Sequence, residues 1–231
     1  MKWNHIIEDE SIKEHLLCII RSIAKDLATC SMDYPGLLDG ESGISLFWEY
    51  LFLYTKDNEH HNNCKKSVKY SLSAISDKPL SYNFSAGISG ISWAFCHLVN
   101  RNSIKANIEH IIDNDINGFL FKCTTLDLEA GNYDYLHHGL STLLYFLELP
   151  FNAHSSINFR QLIKLLENAS LHLHDGIVWA DKFSKEARLN KGIIYNLGLA
   201  HGMPSIIVLL SKVFAKDIET EKCYKLLYGN A

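Results

Sequence analysis

One histidine of this sequence is flanked by glycines, a proline and an apolar run. This pattern predicts that the histidine lies at the start of a helix. His201 lies within the run from Asn196 to Ser205, which leads into five apolar residues, 206–210. Pro204 fits the first turn of a helix, where its missing N–H removes no hydrogen bond. The pattern predicts that His201 sits beside unpaired amide donors and the positive end of a helix dipole. Both chemistry and simple capping of the helix fit this position.

Four segments share this glycine-led pattern. An apolar helix is predicted after the glycines at positions 40, 87, 139 and 202, which are 47, 52 and 63 residues apart. A small residue follows each glycine by three positions, namely Gly43, Gly90, Thr142 and Ser205. A repeat of this length, with a polar helix before each buried one, is typical of an array of helical hairpins. Crowding between converging helices would explain why a small residue recurs three positions after each glycine.

The hydrophobic periodicity predicts the elements of this array. Buried helices begin near residues 41, 87, 139 and 202. More polar helices cover about 8–29, 62–76, 103–121 and 157–172, and another begins a fifth pair over 217–228. A strand-like run covers 176–180.

Inner helices that all run the same way would open their N-termini on one mouth. The residues just before the glycines, Asp39, Ala86, His138 and His201, would line that mouth. Asp134 precedes Gly139 by five positions and belongs to the loop that enters the same place. A carboxylate and imidazoles gathered beside several helix N-termini make this mouth the predicted functional site.

Composition narrows the class of protein. The 231 residues fit one domain or part of a larger one, and 47% of them are hydrophobic. A formal net charge of −4 gives no general basic field, which argues against a nucleic-acid partner. The N-terminus lacks the apolar core of a signal peptide, and no stretch reads as a membrane span, so a cytoplasmic protein is predicted. Six cysteines without a Cys-x-x-Cys pair are expected to be reduced thiols.

These motifs resemble the lanthionine synthetase C-like family, the cyclases of lanthipeptide biosynthesis and their relatives. The resemblance is carried by Asn-Leu-Gly-Leu-Ala-His-Gly at 196–202, by the run that begins Tyr133-Asp134, and by the two Gly-x-x-Gly helix starts. It implies an all-α fold, an α/α toroid in which about seven helix pairs form a double-layered ring. Compared with about seven helix pairs, the single domain 1–231 is predicted to hold four helical hairpins and the first helix of a fifth. It is therefore expected to be truncated at its C-terminus.

The resemblance also implies a reaction. In the family, a zinc-bound cysteine thiolate of a precursor peptide adds to dehydroalanine or dehydrobutyrine and closes a thioether ring. Zinc lowers the pKa of the thiol. Acid–base work belongs to the histidine of Ala-His-Gly and the aspartate of Tyr-Asp, which are His201 and Asp134 here. We expect His138, Asp39 and Tyr133 to contact the substrate. A precursor peptide is the implied partner, together with a dehydratase or a chain that supplies the C-terminal half.

The sequence departs from the family in its zinc ligands. The family uses a Trp-Cys-x-Gly and a Cys-His-Gly motif, but no tryptophan here is followed by cysteine. The pair Cys96-His97 is followed by leucine inside a predicted helix, so it is expected to serve in core packing. Only His138 and His201 are placed to converge, and two ligands hold zinc weakly. We therefore expect no metal and no cofactor in this chain, zinc belonging to the complete family enzyme.

Three functions remain open at this point. The first is a cyclase-related chain, incomplete or inactive alone because the zinc ligands are missing. The second is a non-catalytic module that binds a peptide or a partner enzyme. The third is a carbohydrate-active toroid that uses Asp39, Glu41 and Asp134, which would need two carboxyl groups about 5–9.5 Å apart.

An open array would also leave its end helices without neighbours. The exposed faces would carry the following apolar residues: Phe47, Trp48, Leu51, Ile206, Ile207, Leu209, Leu210, Val213 and Phe214. Apolar patches of this kind favour association, so the chain is expected to self-associate.

Overall fold

Helices make up most of the computed structural model, which describes residues 6–30, 32–149, 153–182, 187, 189 and 193–229. The helices are α1 (Glu10–Thr29), α2 (Glu41–Thr55), α3 (Asn58–Asp77), α4 (Ile88–Asn100), α5 (Ile108–Ile111), α6 (Asn114–Ala130), α7 (Leu143–Glu148), α8 (Ala153–Ala169), α9 (Met203–Phe214) and α10 (Thr220–Tyr228). A 3₁₀ turn, Gly139–Thr142, leads into α7. Strands β1 (Leu171–Leu173) and β2 (Gly176–Val178) pair antiparallel as a short hairpin.

The predicted alternation of outer and inner helices is confirmed. The inner helices begin at Glu41, Ile88, Gly139 and Met203, and α1, α3, α6 and α8 precede them in turn. The third outer helix differs from the predicted range of 103–121, because the chain there forms short α5 and then α6. Asp113 sets this break, since its carboxylate accepts the Ile116 amide N–H at 2.9 Å and caps a new helix.

A close backbone approach marks the start of three inner helices. At each start the glycine lies against a carbonyl oxygen six residues earlier, and the following amide N–H donates to that oxygen. A Cβ atom would lie 2.3 Å from that oxygen at Gly40, 2.2 Å at Gly87 and 2.1 Å at Gly202. The donated bonds are Glu41 to Tyr34 (2.9 Å), Ile88 to Ser81 (2.8 Å) and Met203 to Asn196 (2.9 Å). The glycines are therefore required by the chain's own preceding loop, and not by the predicted crowding between helices.

The third repeat meets the same requirement in a different way. Gly139 has a φ of +27°, and a Cβ there would lie 1.8 Å from the carbonyl oxygen of Asn132. The helix opens as a 3₁₀ turn, and the Leu140 amide N–H donates to the carbonyl of Asp134 at 3.2 Å. Thr142, which replaces the second glycine of the pattern, is buried with its hydroxyl against that of Thr124. The altered start accommodates the larger side chain.

Four loops lead into the inner helices, and we call residues 34–40, 81–87, 132–138 and 196–202 the mouth loops. Each of the first three mouth loops donates backbone hydrogen bonds to the next one along the chain. The bonds are Leu37 and Leu38 to Ser85 (2.9 and 2.8 Å), Phe84 and Ser85 to Leu136 (both 3.1 Å), and Tyr135 to Ala200 (3.0 Å). The four inner helix starts therefore lie at one end of the fold, as predicted.

The expectation that the first and last inner helices expose apolar faces is wrong for most of the residues concerned. Most of the α2 and α9 side chains that were expected to be exposed are buried, among them Trp48, Leu51, Ile206, Leu209, Leu210 and Val213. Only Ile207 and Phe214 of that set are largely exposed, at 47% and 41%. The more exposed apolar face belongs to α1, where Ile12, Ile19 and Ile23 are each more than two-fifths exposed. The apolar faces that were expected to be exposed on α2 and α9 are therefore largely buried.

Cys96 lies in the core, as predicted, whereas His97 is only half-buried. Cys96 is fully buried, while the His97 ring accepts or donates a 2.8 Å hydrogen bond with the Tyr50 hydroxyl and stacks on Trp93. In the described part of the chain, none of the helices combines the length and the hydrophobicity of a membrane-spanning segment.

The glycine contacts predict a strong effect of a single methyl group. Gly90→Ala would place a Cβ 1.9 Å from the Phe84 carbonyl oxygen and should lower the free energy of unfolding by about 1–3 kcal/mol. Gly118→Ala is the matched control, because its Cβ would meet nothing within 4 Å and alanine favours a helix interior by about 1 kcal/mol. Urea denaturation followed by circular dichroism measures both. Equal stability of the two variants would contradict this role for the backbone contact.

Burial predicts which thiols react. Burial raises the pKa of Cys64 and of Cys96 to about 12 and that of Cys223 to about 11, with nearby Glu49 adding to the first. Cys18 and Cys30 are exposed. At about pH 8, N-ethylmaleimide should therefore modify the two exposed thiols first and the three buried ones only on unfolding. Peptide mapping by mass spectrometry reads each site. Rapid native labelling of Cys96 would contradict its buried position.

Candidate functional site

His201 and Asp134 meet at the mouth loops. The His201 Nδ1 and Asp134 Oδ2 atoms are 2.7 Å apart, although the residues are 67 positions apart in the chain. The aspartate side chain is 18% exposed and the histidine side chain 52%. The predicted proximity of the two residues is confirmed.

Asp134 is held as an ionised hydrogen-bond acceptor. Its Oδ1 atom accepts the backbone N–H groups of Leu136 and His137 at 2.8 and 2.9 Å, which leaves Oδ2 for His201. Burial acts to raise the pKa of Asp134, but these backbone bonds and the bond from His201 outweigh it and hold the pKa below its usual value. A neutral His201 therefore carries its proton on Nδ1 and keeps Nε2 as its basic nitrogen.

A backbone hydrogen bond between two mouth loops fixes this pair. The Tyr135 amide N–H donates to the Ala200 carbonyl at 3.0 Å, and these residues adjoin Asp134 and His201 in the chain. The loop around His201 is further shaped by the Asn196 side chain, which accepts the Gly198 amide N–H at 2.8 Å. The site is thus positioned by main-chain contacts on rigid helix starts.

A second histidine joins the pair, and it is not the one that the sequence indicated. The His137 Nδ1 lies 3.5 Å from Asp134 Oδ2, and its ring stacks on that of His201 with centroids 5.7 Å apart and an interplanar angle of 12°. His138, which was expected to converge with His201, instead lies 3.0 Å from the Tyr82 hydroxyl. Asp134 accepts the His137 amide N–H, and the resulting turn places the His137 ring close to the Asp134 carboxylate. Aspartate favours turns of this kind, so the sequence alone could have indicated that His137, three positions after Asp134, lies beside it.

His138 belongs to a neighbouring polar cluster with Tyr82 and Asp127. The Tyr82 hydroxyl donates to the Asp127 carboxylate, which lies 3.9 Å from His138 Nδ1 and accepts the Gly139 amide N–H at 2.8 Å. Burial, the bond to Asp127 and the charge of Asp127 together raise the pKa of Tyr82 well above its usual value. The cluster secures the start of the third inner helix. Sequence reasoning missed it because its members come from three separate segments.

The two other residues expected at the substrate occupy different settings. Asp39 is exposed in the first mouth loop, whereas Tyr133 is only 7% exposed and packs in the main core. Among the described residues, no hydrogen bond or ion pair joins either of them to Asp134 or His201. The structure thus brings together two of the five predicted site residues, and adds His137.

This fold and site define a class of all-α proteins. In this class, outer and inner helices alternate, and a histidine–aspartate pair lies at the inner helix starts. The chain belongs to the lanthionine synthetase C-like family, whose model matches residues 31–229. This confirms the family resemblance seen in the motifs.

The fold also matches solved structures. The chain is similar to nisin cyclase, with a TM-score of 0.64 and 16% sequence identity. The match covers 95% of this chain and 63% of that one, so the chain spans less than two thirds of the cyclase. A search of curated protein sequences gave no match.

The cysteine-based zinc ligands that the family implies have no counterpart in this sequence. Neither family motif occurs in the sequence. Cys96 is fully buried and His97 is engaged by Tyr50 and Trp93, so this Cys-His pair does not fit a zinc site.

The hydrogen bonds of Asp134 predict a stability difference between two substitutions. Asp134→Ala leaves the Leu136 and His137 amides without their acceptor and should cost about 1–2 kcal/mol of unfolding free energy. Asp134→Asn keeps an oxygen for these bonds and should cost less. Urea denaturation of both variants measures the difference, with His201→Ala as a half-exposed control. Equal loss in the two aspartate variants would contradict this role of the carboxylate oxygen.

Proposed function

We propose that this chain promotes the addition of a thiol to a dehydroamino acid in a peptide, the chemistry of a lanthipeptide cyclase. The observation that carries the proposal is the 2.7 Å contact between His201 and Asp134 at the inner helix starts of a lanthionine synthetase C-like protein. Similarity to nisin cyclase supports a peptide as the substrate. We place the reaction in the cytoplasm, where thiols remain reduced.

The chemistry requires one proton transfer that this pair can perform. The peptide thiolate attacks the β-carbon of dehydroalanine, the new C–S bond forms, and the electron pair moves to the α-carbon as an enolate. Protonated His201 gives a proton to that carbon, and solvent restores the proton. Asp134 accepts the hydrogen bond from Nδ1–H, which orients the ring so that Nε2 faces outward for proton transfer.

The thiolate itself must come from outside the described site. In the complete family enzyme zinc lowers the pKa of the peptide thiol. Because these residues do not include that ligand set, we propose that a further segment or partner chain provides it. A dehydratase would supply the dehydrated precursor.

A second candidate function is a non-catalytic peptide-binding module. The absence of both zinc motifs from the 231 residues favours it. Such a module would bind a dehydrated peptide through the mouth loops, and its binding would not depend on His201 as a proton donor.

The catalytic proposal can be tested without zinc by using a thiol that is already ionised. An aryl thiol is largely thiolate at neutral pH, so its addition to a synthetic dehydroalanine peptide bypasses metal activation of the nucleophile. Wild-type chain should accelerate adduct formation, read by liquid chromatography and mass spectrometry. His201→Ala should lose about 10²–10⁴-fold of that acceleration, the usual contribution of a general acid.

The control is His174→Ala, because His174 is 97% exposed in the turn of the β-hairpin and distant in sequence from the mouth loops. Its rate should equal that of wild type. Peptide binding without any acceleration, measured by fluorescence anisotropy, would overturn the catalytic proposal in favour of the binding module. Equal rates for His201→Ala and wild type would overturn the assigned role of His201.

A further inference from the structure

We propose that Asp134, His137 and His201 form a binding site for a divalent transition-metal ion. Each offers one ligand atom, and these atoms all lie within 4.8 Å of one another. The set of two imidazoles and one carboxylate differs from the Trp-Cys-x-Gly and Cys-His-Gly set of the family. It was not predicted from the sequence, which gave only two converging histidines.

The two distances from the Asp134 oxygen suit a single ion. Zinc-like ions lie about 2.0–2.2 Å from nitrogen and oxygen ligands, so neighbouring ligand atoms around one ion are about 3–3.5 Å apart. Here Asp134 Oδ2 lies 2.7 Å from His201 Nδ1 and 3.5 Å from His137 Nδ1. Both rings therefore turn the same nitrogen toward one oxygen. Small rotations of the two imidazoles would admit the ion between them.

The ligands are held in place by the backbone. Two backbone amides occupy Asp134 Oδ1 and aim Oδ2 at the histidines. The bond from Tyr135 to Ala200 fixes the loops that carry the three ligands. Hydrogen bonds that hold the ligand side chains, without contacting the ion, orient the ligands and increase metal affinity. The site is thus built before any ion arrives.

The ligand types select the class of ion. Imidazole suits zinc, cobalt, nickel, copper and iron(II), whereas magnesium and calcium prefer oxygen ligands alone. Both histidine side chains are about half exposed, at 47% for His137 and 52% for His201. Three protein ligands with an open side leave room for water or a substrate atom at the ion.

A bound metal ion would compete with the proton transfer that we propose for His201. An ion between Asp134 and His201 would occupy the two atoms that now share a hydrogen bond, so the metal would replace that proton. The inference goes beyond the proposed function and does not depend on it. Cyclase chemistry could fail while the site still binds metal.

Cobalt(II) provides a direct test on the whole chain without any peptide. Visible d–d absorption should appear on titration and saturate at one ion per chain, while zinc should displace the cobalt and magnesium should not. His137→Ala should weaken cobalt binding more than about 100-fold, beyond the loss typical of an outer-contact change. Circular dichroism melts check that each variant remains folded.

His138→Ala is the matched control, because this adjacent histidine faces Tyr82. It should leave the cobalt spectrum and affinity unchanged. Absence of cobalt absorption at millimolar metal would overturn the proposal. So would undiminished binding by folded His137→Ala, or loss of binding in His138→Ala, which would place the ion elsewhere. Because no peptide is present, none of these results depends on thiol addition.

Discussion

The close approach of each inner helix start to a carbonyl oxygen of its own loop governs this structure. That oxygen accepts an amide N–H from the first helical turn, which would otherwise be unpaired in the buried layer. The same contact leaves no space for a Cβ atom at Gly40, Gly87 or Gly202. Loop path and helix direction are thereby fixed together. A helix of the inner layer begins where its loop has folded back upon it.

The mouth loops transmit this local constraint across the fold. Since each of the first three loops donates to the next, main-chain hydrogen bonds hold the four helix starts in a fixed relation. The pair of Asp134 and His201 benefits directly, because Tyr135 and Ala200 form the last of these bonds. A hydrogen bond between side chains 67 residues apart thus rests on one between their neighbours. Functional groups on such a support need little reorganisation.

Periodicity and glycine spacing were sufficient to predict the four inner helices, because burial and loop geometry repeat with the same phase. They also predicted that Asp134 and His201 meet. They did not distinguish His137 from His138, since that choice depends on the turn around Asp134 rather than on distance from Gly139. The cluster of Tyr82 and Asp127 was out of reach for a related reason. Contacts between separate repeats depend on how the repeats are arranged in space, which spacing alone does not specify.

The hairpin of β1 and β2 shows what this arrangement permits. It lies within the longest interval between helix-start glycines, 63 residues against 47 and 52, and Trp179 anchors it by donating its indole N–H to the Leu166 carbonyl at 2.8 Å. The mouth loop that follows still places its glycine against the oxygen six residues earlier. The periphery can therefore accommodate insertions of different length and shape while the end that carries Asp134 and His201 keeps its geometry. Changes of length are therefore tolerated outside the ring of helix starts, whereas a side chain larger than hydrogen is not tolerated at Gly40, Gly87 or Gly202.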